Sequence, residues 1–166
     1  MKCLILSDSH HSFENIERAI KKNPDAEVIF FLGDGIETLY DLIDRYPDKA
    51  WLCVQGNCDR PTVLRGQPVK KTDSITLLGK RIAFTHGDLY GAKYGDGGLL
   101  SLAGEERAHA VLHGHTHEPR ETYYPDVGVW LFNPGALEAS WGKPSSFGLL
   151  TISEKGDMLF SHGTLD

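Results

Sequence analysis

Five apolar runs in this chain each lead into side chains able to bind a metal ion. Leu4-Ile5-Leu6-Ser7 leads to Asp8 and His10, Val28 through Gly33 leads to Asp34, and Trp51 through Gly56 leads to Asn57. Ile82-Ala83-Phe84-Thr85 leads to His86, and Ala110-Val111-Leu112-His113-Gly114 leads to His115 and His117. Carboxylate oxygens, an amide oxygen and imidazole nitrogens form a donor set suited to Mn, Fe, Ni, Co or Zn more than to Ca or Mg. These seven groups exceed the needs of one ion. A pair of ions sharing a carboxylate would use them all and keep positions for water and substrate oxygens.

Such donors need elements that gather them. Apolar runs without polar alternation read as strands buried on both faces, and ligands of such sheets lie beyond the strands' carboxyl ends. All seven groups are therefore expected along one rim. Period-two alternation predicts that Asp8 and His10 point to one side, as do His115 and His117. Between the first runs, Ser12 can cap a helix carrying Phe13, Ile16, Ala19 and Ile20, stopped by Asn23-Pro24. A second helix after Asp34 presents Leu39, Leu42, Ile43 and Tyr46 before Pro47. This strand-helix alternation predicts parallel crossovers in the first half. Ile75–Leu78 and Arg81–Phe84 flank Gly79-Lys80, read as a hairpin turn. Residues 87–98 hold five glycines without periodicity and read as a long, mobile loop, with a third helix from about Leu99 to Arg107. Later apolar segments read as further strands, more than one parallel sheet needs, so two stacked sheets with helices outside are expected.

At 166 residues and 40% hydrophobic composition the chain has the size of a single domain, residues 1–166. That length buries about 70% of the unfolded surface. The net charge of -6 argues against an extended nucleic-acid contact, which wants a basic face. Residues 1–6 hold too short an apolar stretch for a signal peptide or a membrane span, so a cytoplasmic protein without membrane contact is expected. Cys3, Cys53 and Cys58 lack C-x-x-C spacing and suggest neither a disulfide framework nor a thiolate zinc site.

Taken in order, Asp8-Ser9-His10, Gly33-Asp34, Gly56-Asn57-Cys58-Asp59, His86-Gly87-Asp88 and Gly114-His115-Thr116-His117 resemble the signature blocks of the calcineurin-like metallophosphoesterases. Asn133-Pro134-Gly135 is similar to a segment beside the site in the small single-domain bacterial and archaeal phosphodiesterase branch, so the resemblance covers nearly the whole chain. It implies an α/β fold, a four-layer αββα sandwich of two mixed β-sheets flanked by helices. It also implies two divalent ions per chain, manganese first, with Ni, Fe, Co and Zn as alternatives. Asp8, His10 and His117 would hold one ion, Asn57, His86 and His115 the other, and Asp34 would bridge them. The implied activity is phosphodiester hydrolysis by a hydroxide that the dinuclear centre activates, on a small diester.

Asn57, Cys58 and Asp59 are the candidate catalytic group, Asp59 supporting the ligands from behind. Many family members have His where this chain has Cys58, and a thiol is a poorer proton donor than an imidazolium at neutral pH. His11 stands where relatives usually have glycine, and it is the other candidate for the acid. The competing functions are a phosphomonoesterase or nuclease of the same family, and a non-catalytic protein-binding module; homo-oligomerisation is open. His113 reads as a hydrogen-bonded core residue and His162 as a surface or strand-end residue. Lys70, Lys71 and Arg65 read as a solvated face, and Tyr90, Tyr94 and Trp141 either line the substrate mouth or pack on the fold.

Overall fold

Lys2–Leu6 forms β1, with Leu4, Ile5 and Leu6 wholly buried, and α1 (Phe13–Lys22) follows under the Ser12 cap, whose hydroxyl accepts from the Asn15 amide. The elements then run β2 (Val28–Phe31), α2 (Leu39–Arg45), β3 (Ala50–Cys53), β4 (Val63–Leu64), β5 (Gln67–Pro68), β6 (Thr72–Leu77) and β7 (Lys80–Thr85). After these come α3 (Gly97–Glu106), β8 (Ala110–Leu112), β9 (Arg120–Tyr124), β10 (Val129–Asn133), β11 (Ser146–Ile152) and β12 (Met158–Thr164). The computed structural model describes residues 1–139 and 142–165.

Two five-stranded sheets result, in the orders β12-β11-β1-β2-β3 and β6-β7-β8-β10-β9. Both are mixed: β1, β2 and β3 run parallel, as do β7, β8 and β10, while β11, β12, β6 and β9 pair antiparallel. Period-two alternation sends the two faces of β1 into different apolar layers. Cys3 and Ile5 meet Phe30, Phe84, Leu112 and Phe132 between the sheets, while Leu4 and Leu6 meet Ile16, Ile20, Leu39 and Leu42 of α1 and α2. A third layer packs Leu99, Leu102 and Ala103 of α3 on Val111 and Leu131. The result is the four-layer αββα sandwich, and the three parallel strand ends of each sheet open toward one rim.

Three local readings are corrected. The β6–β7 turn is Leu78-Gly79 rather than Gly79-Lys80, since Lys80 pairs with Leu77. Both turn residues have positive φ, 46° and 77°, as a two-residue type I′ turn requires. The glycine-rich stretch is shorter than expected, because Asp88–Tyr90 makes a 3-10 turn and α3 already begins at Gly97. It is also anchored: both Asp96 carboxylate oxygens accept from Arg120 at 2.7 Å, and the Tyr124 hydroxyl donates to the same carboxylate. No helix among the described residues is long and apolar enough to cross a membrane.

Candidate metal centre

Asp8 and His10 lie beyond the end of β1, and His115 and His117 beyond the end of β8, so strand alternation does not orient them. Left-handed backbone does. Asp8, His10, Asp34, His115 and His117 have φ of 54°, 42°, 59°, 68° and 59°. This conformation costs energy in residues other than glycine and clusters at functional sites, where the surroundings enforce it. Close backbone approach adds to the constraint: a Cβ on Gly56 would collide with Asp34 Oδ1, and one on Gly114 with Ser7 Oγ.

Five of the seven residues, Asp8, His10, Asp34, His86 and His117, converge in three groups; Asn57 joins them through His86, and the His115 ring nitrogens join none. Asp8, His10 and His117 bring one ligand atom each within 4.8 Å of one another. His10 Nε2 and His117 Nε2 are 3.4 Å apart, and Asp8 Oδ1 lies 3.0 Å from His117 Nε2. Asp8, Asp34 and His86 form a second group on the same criterion, and Asp34 joins a third with His10 and Cys58, so it stands between the others. His86 Nε2 is 3.4 Å from Asp34 Oδ2 and 3.0 Å from Asn57 Oδ1. The His115 ring lies 5.0 Å from the His86 ring, centroid to centroid. His11 is exposed and joins none of the three groups.

The arrangement fits cations. Asp8 Oδ2 accepts from Ser7 Oγ at 2.5 Å and the His115 amide at 3.1 Å, but Asp8 Oδ1 is buried with no hydrogen-bond partner. His117 Nε2 approaches this oxygen at 3.0 Å as an ion-pair contact. A buried, unpartnered carboxylate oxygen among converging imidazole nitrogens is costly unless a cation collects them.

Residues 1–155 match the family model of the calcineurin-like phosphoesterase superfamily domain. The chain belongs to this superfamily. Membership places it among hydrolases of phosphoester bonds that bind divalent metals. It is 26% identical over 155 residues to Probable metallophosphoesterase YsnB of Bacillus subtilis, covering 92% of this chain and 85% of that protein. Among solved structures it resembles an archaeal phosphodiesterase, at a TM-score of 0.72 and 21% identity over 98% of this chain and 99% of the other. It also resembles Vps29 of Entamoeba histolytica in complex with zinc, at a TM-score of 0.73 and 18% identity over the full length of both.

In this phosphoesterase the candidate ligand residues are held by neighbours outside the cluster. Asp59 accepts four backbone N–H groups: Gly35 and Ile36 at 2.7 and 3.0 Å on Oδ1, Asp34 and Gly56 at 2.8 Å each on Oδ2. It therefore positions the turns carrying Asp34 and Asn57. Lys71, expected on a solvated face, donates to the Gly56 carbonyl at 3.0 Å and braces the same turn. Asn133 clamps the His115 turn by donating to the Gly114 carbonyl at 3.0 Å and to Thr116 Oγ1 at 2.9 Å. Lys71 and Ser7 carried no signal in the sequence, because their roles depend on contacts that topology creates.

Electrostatics follow from the same contacts. Burial opposes the Asp34 anion, but the His86 ring and the Cys58 amide, which donates to Oδ1 at 2.9 Å, outweigh it and hold the carboxyl well below the usual range. Burial likewise opposes the His86 cation, yet Asp34 and Asp8 raise its pKa. Its Nδ1 lies 2.7 Å from the Leu32 carbonyl, which leaves Nε2 facing the cluster. The adjacent Asp8 raises the His117 pKa, whereas burial, with His86 and Lys93, lowers that of His115. His113 is buried, with burial pushing it down to about 4, and stays a neutral core residue. Tyr90 packs against the α3 layer and Tyr94 is 94% exposed, while Trp141 lies outside the described residues.

Proposed function

We propose that this phosphoesterase is a metal-dependent phosphodiesterase acting on small, accessible diesters, with two divalent ions, manganese first among them. The observation that carries the proposal is the convergence of three imidazoles and two carboxylates around the unpartnered Asp8 Oδ1. Asp8, His10 and His117 would hold one ion and Asn57, His86 and His115 the other, with Asp34 between. When bound, such a pair polarises phosphoryl oxygens and lowers the pKa of the attacking water.

The chain's own residues do the rest. Asp34 is kept ionised by His86 and the Cys58 amide, and the Leu32 carbonyl keeps His86 Nε2 on the site. Cys58 is exposed at the rim, within 4.8 Å of His10 and Asp34 at its sulfur, and is the proton donor we assign to a departing alkoxide. No arginine among the described residues hydrogen-bonds to the cluster; Arg81 and Arg120 are tied to Glu106 and Asp96. Arginine forks are the usual clamp for a phosphate dianion, so the arrangement favours monoanionic diesters over monoesters. The charge of -6 disfavours nucleic acid as substrate.

One metal-loaded preparation assayed on diesters, monoesters, cyclic nucleotides and RNA tests the reading. Diesters are expected to turn over fastest and to lose activity on chelation. Preferred monoester or RNA cleavage would move the protein to the competing enzyme classes, and no turnover with any divalent ion would favour a binding module.

A further inference from the structure

A cavity of about 430 Å³ opens beside the metal centre, between β12 and the turn after β8, lined by His117, Pro119, Ala136, Pro144, His162 and Thr164 among others. It touches the centre through His117, which belongs both to its wall and to the cluster with Asp8 and His10. A phosphoryl group at Asp8 and His117 would therefore have one ester substituent directed at this space. Pro119, Ala136, Pro144 and Gly163 form the apolar part of the wall, beside the small hydroxyls of Ser146 and Thr164, and its cation, Lys143, is paired with Glu118 at 2.9 Å.

His162 gives the cavity a flat surface. Its Nε2 donates to the Asn133 carbonyl at 2.8 Å, and Phe132 stacks on the ring at 4.6 Å and 17°. His162 lies within β12, opposite Gly148 of β11, and these contacts fix its ring as a plane. Resting on the phosphodiesterase reading, we infer that the cavity receives a neutral aromatic substituent of the diester, an aryl ring or a nucleobase, stacked against His162. The carboxylate of Glu138 in the wall disfavours an anionic substituent, and an alkyl group would leave the imidazole face unused.

Calorimetric binding of the monomethyl esters of methylphosphonate and phenylphosphonate, monoanions like the diester, to the metal-loaded protein separates this inference from the reading beneath it. Both should bind, with the phenylphosphonate ester about tenfold tighter, in the range of one aromatic stacking contact. His162→Ala should reduce that preference to about twofold and leave binding of the methylphosphonate ester unchanged, while His162→Phe should retain it. Thr164→Trp, filling the cavity from an exposed position, should abolish the preference without disturbing His162. Equal binding of the two phosphonate esters by the parent protein, or a preference that survives both His162→Ala and Thr164→Trp, would overturn the assignment. Binding of neither would overturn the phosphoester reading and the cavity assignment with it. Adding the corresponding esters of nucleoside 5′-phosphonates to the series distinguishes a nucleobase from a simple aryl ring.

Discussion

Asp59 accepts four backbone N–H groups with two oxygens, so Asp59→Asn would turn an NH₂ toward two of those donors. Charge-assisted bonds of this kind contribute about 1.5–3 kcal/mol each, and the variant should lose about 3 kcal/mol in urea unfolding. Its metal affinity should fall about 10–100-fold, as is usual when a group orienting metal ligands is removed. Unchanged unfolding and affinity would deny Asp59 its positioning role. Cys58 bears on the chemistry instead. Its thiol pKa is raised by partial burial and then by Asp34 beside it, making it a weak acid for a departing alkoxide. Rates should therefore depend steeply on leaving-group pKa, and Cys58→His should speed alkyl diesters about 10²-fold while scarcely changing activated aryl ones. If His11 already supplies the proton, His11→Ala will damage alkyl-diester turnover and Cys58→His will do little. The ligand types were readable from residue identity at the ends of apolar runs. The left-handed backbone that aims them was not, although Asp and His are among the residue types that tolerate it.

At the scale of elements, the glycine-rich stretch shows where local reading ran out. Glycine content predicts mobility, but the Asp96 contacts to Arg120 and Tyr124 tie the start of α3 to β9, a partner distant in sequence. Burial works against the Asp96 anion, and Arg120 and Tyr124 outweigh it, lowering its pKa. In the unfolded chain this carboxylate protonates near pH 4, as ordinary aspartates do, and in the folded one only at lower pH. The unfolded state therefore binds more protons in that window. The stabilisation is complete above about pH 4 and is lost as pH falls through the folded value. Asp96→Asn should lower the urea midpoint at neutral pH and flatten this part of the acid limb; identical pH slopes in the two proteins would contradict the anchor. Helix positions were readable because a cap, a 3.6-residue stripe and a stop signal agree, as at Ser12, Ile16, Ala19, Ile20 and Asn23. The two-residue strands β4 and β5 escaped notice because they are too short for any periodic signal and contain Pro68.

The two-sheet architecture was readable from the number of apolar runs and the absence of alternation in the early ones. The strand orders were not. The antiparallel placement of β11 beside β1 joins residues such as Leu4 and Leu149, a pairing that only global packing selects. That pairing leaves the parallel strand ends free to carry the ligands, so the whole molecule serves to hold anions together that would otherwise repel. A cation that binds only the folded state stabilises it by about 2.7 kcal/mol at a hundredfold excess over its dissociation constant. Manganese should therefore raise the melting temperature and a chelator should reverse the rise; in Asp34→Asn the rise should shrink while unfolding stays cooperative. The most direct test of the account is anomalous diffraction from manganese-loaded crystals. Two ions per chain are predicted, one on Asp8, His10 and His117, one on Asn57, His86 and His115, with Asp34 on both. A single ion, or ions held by fewer than five of these residues, would contradict it.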